Sequence, residues 1–200
     1  MLSSTTTSRV ILASSSPRRK ELLSQAGVPF DVIVSGCDET PIVGESAQEM
    51  VERLALLKAQ AVSDLEQEAL VIGADTTVFI DGEALGKPSS VEEARQMLKR
   101  IQGRTHEVWG GVAIVEKAAG LARVWSHMTK VTMVAMSSEM IAWYAQSGEP
   151  MDKAGSYAIQ GLGLQFVDSI EGSYSNVVGL NVASLMCVLE ELGVQRQHGL

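Results

Sequence analysis

With 200 residues and 46% hydrophobic side chains, the chain is long enough to bury a real core, as one domain or two small lobes. Sixteen Lys and Arg against 24 Asp and Glu give a formal charge of −8 and a pI near 4.9, which argues against nucleic-acid or anionic-membrane binding but leaves room for a small anion in a local basic pocket. Two cysteines and three widely spaced histidines make neither a disulfide framework nor a zinc set, and no run approaches the roughly 20 apolar residues of a membrane span, so the expectation is a soluble, cytoplasmic protein.

Residues 1–8, rich in Ser and Thr, are expected to be a disordered tail ahead of a single domain over 9–194, with a loose polar tail over 195–200. Arg9 to Ala13 reads as a short strand. Ser16 then suits a helix N-cap, Pro17 the first helical position and Gly27 the C-terminal stop. Arg18, Arg19 and Lys20 fall in the first turn of that helix. There the helix dipole disfavours cations by about 0.3–1 kcal/mol each. Either they form a solvated basic end, or Ser14 and its neighbours, the free N–H groups and the two guanidiniums make a phosphate cradle.

Phe30 to Val34 reads as a second strand leading into Asp38-Glu39, a pair that suits a turn or an acidic site near a metal; alone, the turn is the better reading. Ser46 and Glu49 make a capping box for a helix to about Ser63. Lys58 falls on its apolar stripe, so it either carries its head outward to water or points at an anion.

Leu70 to Ala74 is an apolar run that ends at Asp75, followed by the β-branched stretch Thr76 to Ile80 and the hairpin signal Asp81-Gly82. The return brings Lys87, in Gly86-Lys87-Pro88, towards Asp75. These residues are either a solvated hairpin pair or part of a site. Ser90 and Glu93 suggest a second capping box, for a helix ending at Gly103. Residues 105–115 and 122–135 read as a long antiparallel pair, followed by a short helix near 139–146.

Residues 151–163, MDKAGSYAIQGLG, form the other informative loop. Gly155, Gly161 and Gly163 allow positive φ and close approach of backbone to a ligand. Lys153 adds a cation, and the Gln160 amide can read a base edge with one donor and one acceptor. The spacing matches neither a dinucleotide-binding nor a P-loop fingerprint. A strand over 164–170, a tight loop over 172–176 and a final helix capped by Asn181 complete the chain.

Several cations around at least one well-placed carboxylate are what phosphoanhydride hydrolysis requires. LASSSPRRKELL (12–23), the Glu39 region, RLALLKA (53–59), GADT (73–76), GKP (86–88) and DKAGSYAIQG (152–161) occur in that order. Through them the chain resembles the Maf family of nucleoside triphosphate pyrophosphatases over residues 9–193. The resemblance implies an elongated α/β fold of the Maf/ITPase-like kind, a curved mixed sheet flanked by helices with a cleft between two lobes, often as a homodimer. It also implies cleavage between the α- and β-phosphates with a divalent metal, Mg²⁺ or in its place Mn²⁺. By motif, Asp75 takes the general-base position and shares the metal with Glu39. Ser14, Arg18, Arg19, Lys58, Thr76, Lys87, Lys153 and Gln160 take substrate positions. Arg18, Thr76 and Gln160 resemble the branch acting on dTTP and UTP. The alternatives are a pyrophosphatase for 7-methyl-GTP, whose branch carries an aromatic residue in place of Arg18, and a nucleotide-binding regulator of septum formation, which would not need Asp75.

Overall fold

The computed structural model describes residues 9–196, so the expected tail over 1–8 and residues 197–200 lie outside the described residues. Gln195 and Arg196 are described, and Arg196 pairs with Glu190.

The fold is α/β, built on one mixed sheet of seven strands. Strands β1 (Val10–Leu12), β2 (Asp31–Val32) and β3 (Leu70–Ile80) run parallel, with β1 in the middle. On the far side of β3 the long hairpin of β5 (Thr105–Glu116) and β6 (Leu121–Met133) continues the sheet antiparallel, and β7 (Val167–Glu171) closes it. The short β4 (Glu83–Leu85) folds back on β3 through the Asp81-Gly82 turn. Both turn residues have positive φ, 55° and 81°, as a two-residue hairpin of this hand demands.

The helices begin where their caps say. Ser16 caps α1 (Pro17–Gln25), and Ser46 and Glu49 close a full capping box on α2 (Ala47–Ser63). Ser90 caps α3 (Val91–Ile101), but the expected second box is only half made: the Glu93 carboxylate accepts instead from Ser89 N–H at 2.7 Å. After α4 (Ser138–Gln146) the chain makes three 3-10 turns, Glu149–Asp152, Ala154–Ser156 and Gly161–Phe166. The last of these consumes residues read as strand, so β7 starts at Val167 rather than 164. Likewise the tight loop expected over 172–176 contains a short helix, α5 (Tyr174–Val178), capped by Ser173. Asn181 caps α6 (Val182–Glu191), its Oδ1 accepting from Ser184 N–H at 3.2 Å.

Strand β3 organises the packing, because its alternation sends successive residues to opposite faces. Val71 joins Ala55, Ala59 and Val62 of α2 in one core, while Leu70, Ile72 and Ala74 join residues of α1 and α6 in another. Further along, Val78 and Ile80 join a third core with α3, α4, Tyr157 and Phe166. The β1 partnership of β3 ends at Ile72 and the β4 partnership begins at Val78, so residues 73–77 have β5 on one side and no strand on the other. Ile72 O accepts from Ala13 N–H. Period-two alternation therefore aims the backbone N–H groups of Ala74 and Thr76 into this gap.

Candidate active site

Asp75 and Thr76 lie at the centre of the gap and point to opposite faces of the sheet. On the α2 face, Lys58 is buried and inward, its Nζ 2.8 Å from Asp75 Oδ1 and 2.7 Å from Glu39 Oε2. Close packing puts it there. A Cβ on Gly73 would run into the backbone of Ala55 and Ala59, and one on Gly111 into the backbone of Val51. The helix thus rests directly on the sheet beside Asp75. The Asp38-Glu39 pair splits its roles. Asp38 takes the turn, its Oδ1 accepting from the Thr40 N–H at 3.0 Å and hydroxyl at 2.6 Å, which hold its carboxyl below the usual range. Glu39 reaches the lysine.

On the other face a cavity of about 400 Å³ opens above Thr76 and Val78. Arg18, Arg19, Lys87, Lys153 and Gln160 all line it. Arg19 is tied in place by neutral acceptors: Nε donates to Gly179 O at 2.8 Å, and the two terminal nitrogens to Ser14 Oγ at 3.3 Å and Thr76 Oγ1 at 3.1 Å. Burial draws its pKa down, opposed by the attraction of Asp75 and Glu39. Among the described residues neither Arg19 nor Lys87 has a carboxylate within ion-pair distance. Arg18 sits 3.4 Å from Asp152, which also pairs with Lys153. The Gln160 amide, partly exposed, has no hydrogen-bond partner among the described residues, so both its faces remain free for a ligand.

The ten residues singled out in the sequence therefore form two groups rather than one. Glu39, Lys58 and Asp75 meet on the α2 face. Arg18, Arg19, Thr76, Lys87, Lys153 and Gln160 meet at the cavity, with Ser14 holding Arg19 from behind. The missing length of β3 edge is where the groups adjoin. Gly155 N–H donates to Gly86 O at 3.1 Å, tying the loop of Lys153 to the loop of Lys87.

The glycine loop meets its expectation in part: Gly155 and Gly161 have positive φ, 68° and 67°, and Gly161 lines the cavity. Its glycines also approach protein closely: a Cβ on Gly155 would strike Val78, one on Gly161 the Glu149 carboxylate, and one on Gly163 Tyr144 Oη and Ala158 O. Glu149, Asp152 and Tyr157 also line the cavity and escaped sequence reading. Glu149 and Asp152 could have been suspected, as acids beside a lysine in one short loop. The carbonyl of Gly179, which orients Arg19 across 160 positions, leaves no sequence signal.

The model of the Maf-like protein family matches residues 9–192. The chain belongs to the Maf family. Among its relatives, a Symbiobacterium thermophilum protein is 50% identical over 185 residues, covering 92% of this chain and 94% of its own length. A Myxococcus xanthus protein is 49% identical over 185 residues, 92% and 93% of the two chains, and one from Pelotomaculum thermopropionicum is 46% identical over 184 residues, 92% and 96%. All three are named dTTP/UTP pyrophosphatase. Among the described residues no helix is long and apolar enough to cross a membrane.

Proposed function

We propose that this Maf-family chain is a nucleoside triphosphate pyrophosphatase that hydrolyses dTTP and UTP to the monophosphate and pyrophosphate. The observation that carries this reading is the cavity itself: four cationic side chains converge there on a protein of formal charge −8. Arg18, Arg19, Lys87 and Lys153 supply positive charge to the phosphates in a partly desolvated space, where such contacts are strong. Asp75, oriented by Lys58, takes the proton of the water that cleaves the anhydride between the α- and β-phosphates. The names of the relatives support the substrate class.

The donor set suits a hard divalent cation such as Mg²⁺. Glu39 and Asp75 already converge on one ammonium, so the same two carboxylates can share a metal. Among the described residues no third His, Cys, Asp or Glu joins them. Mg²⁺ commonly takes one or two carboxylates and completes its shell with waters and substrate phosphates, which this pair permits. When bound, it would neutralise charge on the phosphates.

Gln160 carries the base selectivity. Uracil and thymine present N3–H between two carbonyls, and one amide can meet a donor and an acceptor of that edge with two hydrogen bonds. A site built on such bonds rejects a base lacking the pattern. A panel of triphosphates with Mg²⁺ and pyrophosphate detection tests the reading. The expected result is a preference for dTTP and UTP over ATP and GTP of at least roughly tenfold in kcat/KM, about 1.4 kcal/mol. Gln160→Ala should erode that preference more than it lowers the best rate. Equal turnover of purine and pyrimidine triphosphates would overturn the base selectivity, and absence of pyrophosphate release would overturn the activity.

A further inference from the structure

Beside Gln160 lies an arrangement that the chemistry at the phosphates does not use. Glu149 Oε1 accepts from Leu162 N–H at 2.9 Å, and its Oε2 accepts from Gly163 N–H at 2.8 Å and from the Tyr144 hydroxyl at 2.7 Å. That hydroxyl oxygen in turn accepts from Ala158 N–H at 3.0 Å. One carboxylate and one phenol thus hold three backbone N–H groups on either side of Gln160.

The fit is tight. Side chains at Gly161 or Gly163 would overlap Glu149 and Tyr144, and Gly161 also has φ of 67°. Tyr144 is fully buried and packs against Phe166 with ring centroids 5.1 Å apart, so the phenol is anchored in the core. Burial, reinforced by Glu149, pushes the phenol's pKa up and keeps it a donor. Glu149 faces the cavity and, among the described residues, is matched by no cation. A carboxylate in a space lined by cations, yet bonded to neutral donors, orients backbone rather than balancing charge. It also opens the 3-10 turn Glu149–Asp152, which leads directly to Lys153. The base-facing loop and the phosphate-facing lysine are thereby referred to one side chain.

We propose that Glu149 and Tyr144 form a clamp that sets base selectivity by fixing the backbone on both sides of Gln160. They are positioning residues, and the inference rests on the pyrimidine reading of Gln160 above. Amide-to-base recognition needs both hydrogen bonds aligned together, and small displacements of a positioned group are enough to spoil it. Tyr144→Phe leaves the ring in the core but strips Ala158 N–H of its acceptor. Glu149→Gln keeps the shape but presents an NH₂ group where one of the donors needs an oxygen.

The test measures kcat and KM of the full chain on dTTP, UTP, ATP and GTP with Mg²⁺. Unmodified protein is compared with Tyr144→Phe, Glu149→Gln, Gln160→Ala and the two doubles carrying Gln160→Ala. The expected result is that each clamp substitution lowers the pyrimidine preference at least about fivefold, through a higher KM for dTTP and UTP. Either clamp substitution added to Gln160→Ala should lower the preference no further than Gln160→Ala alone, since the clamp acts through that residue. Hydrogen exchange should show faster exchange at Ala158, Leu162 and Gly163 with β3 still protected. A preference that survives both substitutions, a parallel loss on all four nucleotides, or additive effects with Gln160→Ala would overturn the clamp. No preference in the unmodified protein would overturn the pyrimidine reading and the clamp's role with it.

Discussion

Lys58 lies within salt-bridge distance of two carboxylates, and its surroundings make the chemistry at Asp75 testable. Lys58 and Asp75 are both nearly excluded from solvent, whereas Glu39 is more than half exposed. Asp75→Asn leaves the ammonium paired with Glu39, so the fold and nucleotide binding should survive. Turnover should fall by roughly 10²–10⁴, the usual contribution of a positioned base, because an amide cannot take the proton. Near-normal turnover in a pyrophosphate-release assay would remove Asp75 from that role. Lys87, exposed and free of carboxylates among the described residues, should behave differently from a structural lysine. Lys87→Ala should lower kcat/KM by orders of magnitude, with the unliganded melting temperature unchanged. At this scale much was legible, since strand periodicity and the β-branched run found Asp75 and Thr76. Their placement on opposite faces of β3 follows from the same period of two, but which face each joins depends on α2 and α6, which arrive from distant parts of the chain.

Helix and strand contacts decide which side chains are structural and which are free. Arg18 and Arg19 look equivalent in sequence, side by side in the first turn of α1. Arg18 forms a solvent-exposed pair with Asp152, worth about 0–1 kcal/mol, so Arg18→Ala should leave thermal stability level or raise it slightly by easing the helix dipole. Arg19 instead joins α1, β3 and the residue after α5 through three hydrogen bonds. Arg19→Ala should therefore lower stability by about 1–3 kcal/mol, as measured by urea unfolding, in addition to weakening nucleotide binding. Equal stability of the two variants would contradict this division. The seat of α2 gives a sharper case. Gly73→Ala adds one carbon where the helix backbone touches the sheet, costing roughly 1–3 kcal/mol through overpacking. Because the same contact seats Lys58 against Asp75, turnover should fall with stability even though residue 73 meets no ligand. Helix starts were readable because caps are local; this contact was not, since a strand glycine has the same signature wherever its face is buried. The 3-10 turn at Gly161–Phe166 was missed for a related reason: the N–H groups of Leu162 and Gly163 donate to Glu149, outside any local window.

Across the whole molecule, the long β3–β5–β6 sheet carries separate cores along its length, and the cavity lies near Thr76 and Val78, where the packing around β3 changes from α1 and α6 to α3 and α4. The core on the α3 and α4 side contains a weakness towards acid. His106, on β5, is 2% exposed; its Nε2 lies 2.7 Å from the hydroxyl of Tyr157, and its Nδ1 has no partner. Burial lowers its pKa from 6.5 to about 4, so the folded protein resists a proton that the unfolded chain accepts. The sign follows directly. Above pH 6.5 both states are neutral at this residue and stability is complete; between 6.5 and about 4 the unfolded state binds more protons, and stability is lost as pH falls. A difference of 6.5 − 4 = 2.5 units corresponds to about 3 kcal/mol at 1.36 kcal/mol per unit. The carboxyls of Asp38, Glu45, Glu49 and Asp81, held below their usual range chiefly by side-chain hydrogen bonds, add losses of the same sign at lower pH. Urea unfolding at pH 7.0, 5.5 and 4.5 (values chosen to bracket a histidine titration of about 4–6.5) should show the steepest decline across the histidine window. His106→Gln should flatten that decline, at the cost of lower stability at neutral pH, because a neutral amide cannot take up the proton. If the variant keeps the slope of the unmodified protein, the acid sensitivity belongs to other groups. Since Tyr157 lines the cavity and, among the described residues, its hydroxyl bonds only His106, protonating that ring in the folded protein should also move a wall of the nucleotide site. KM for dTTP should therefore stay level through the upper part of the histidine window and rise only as pH falls towards about 4.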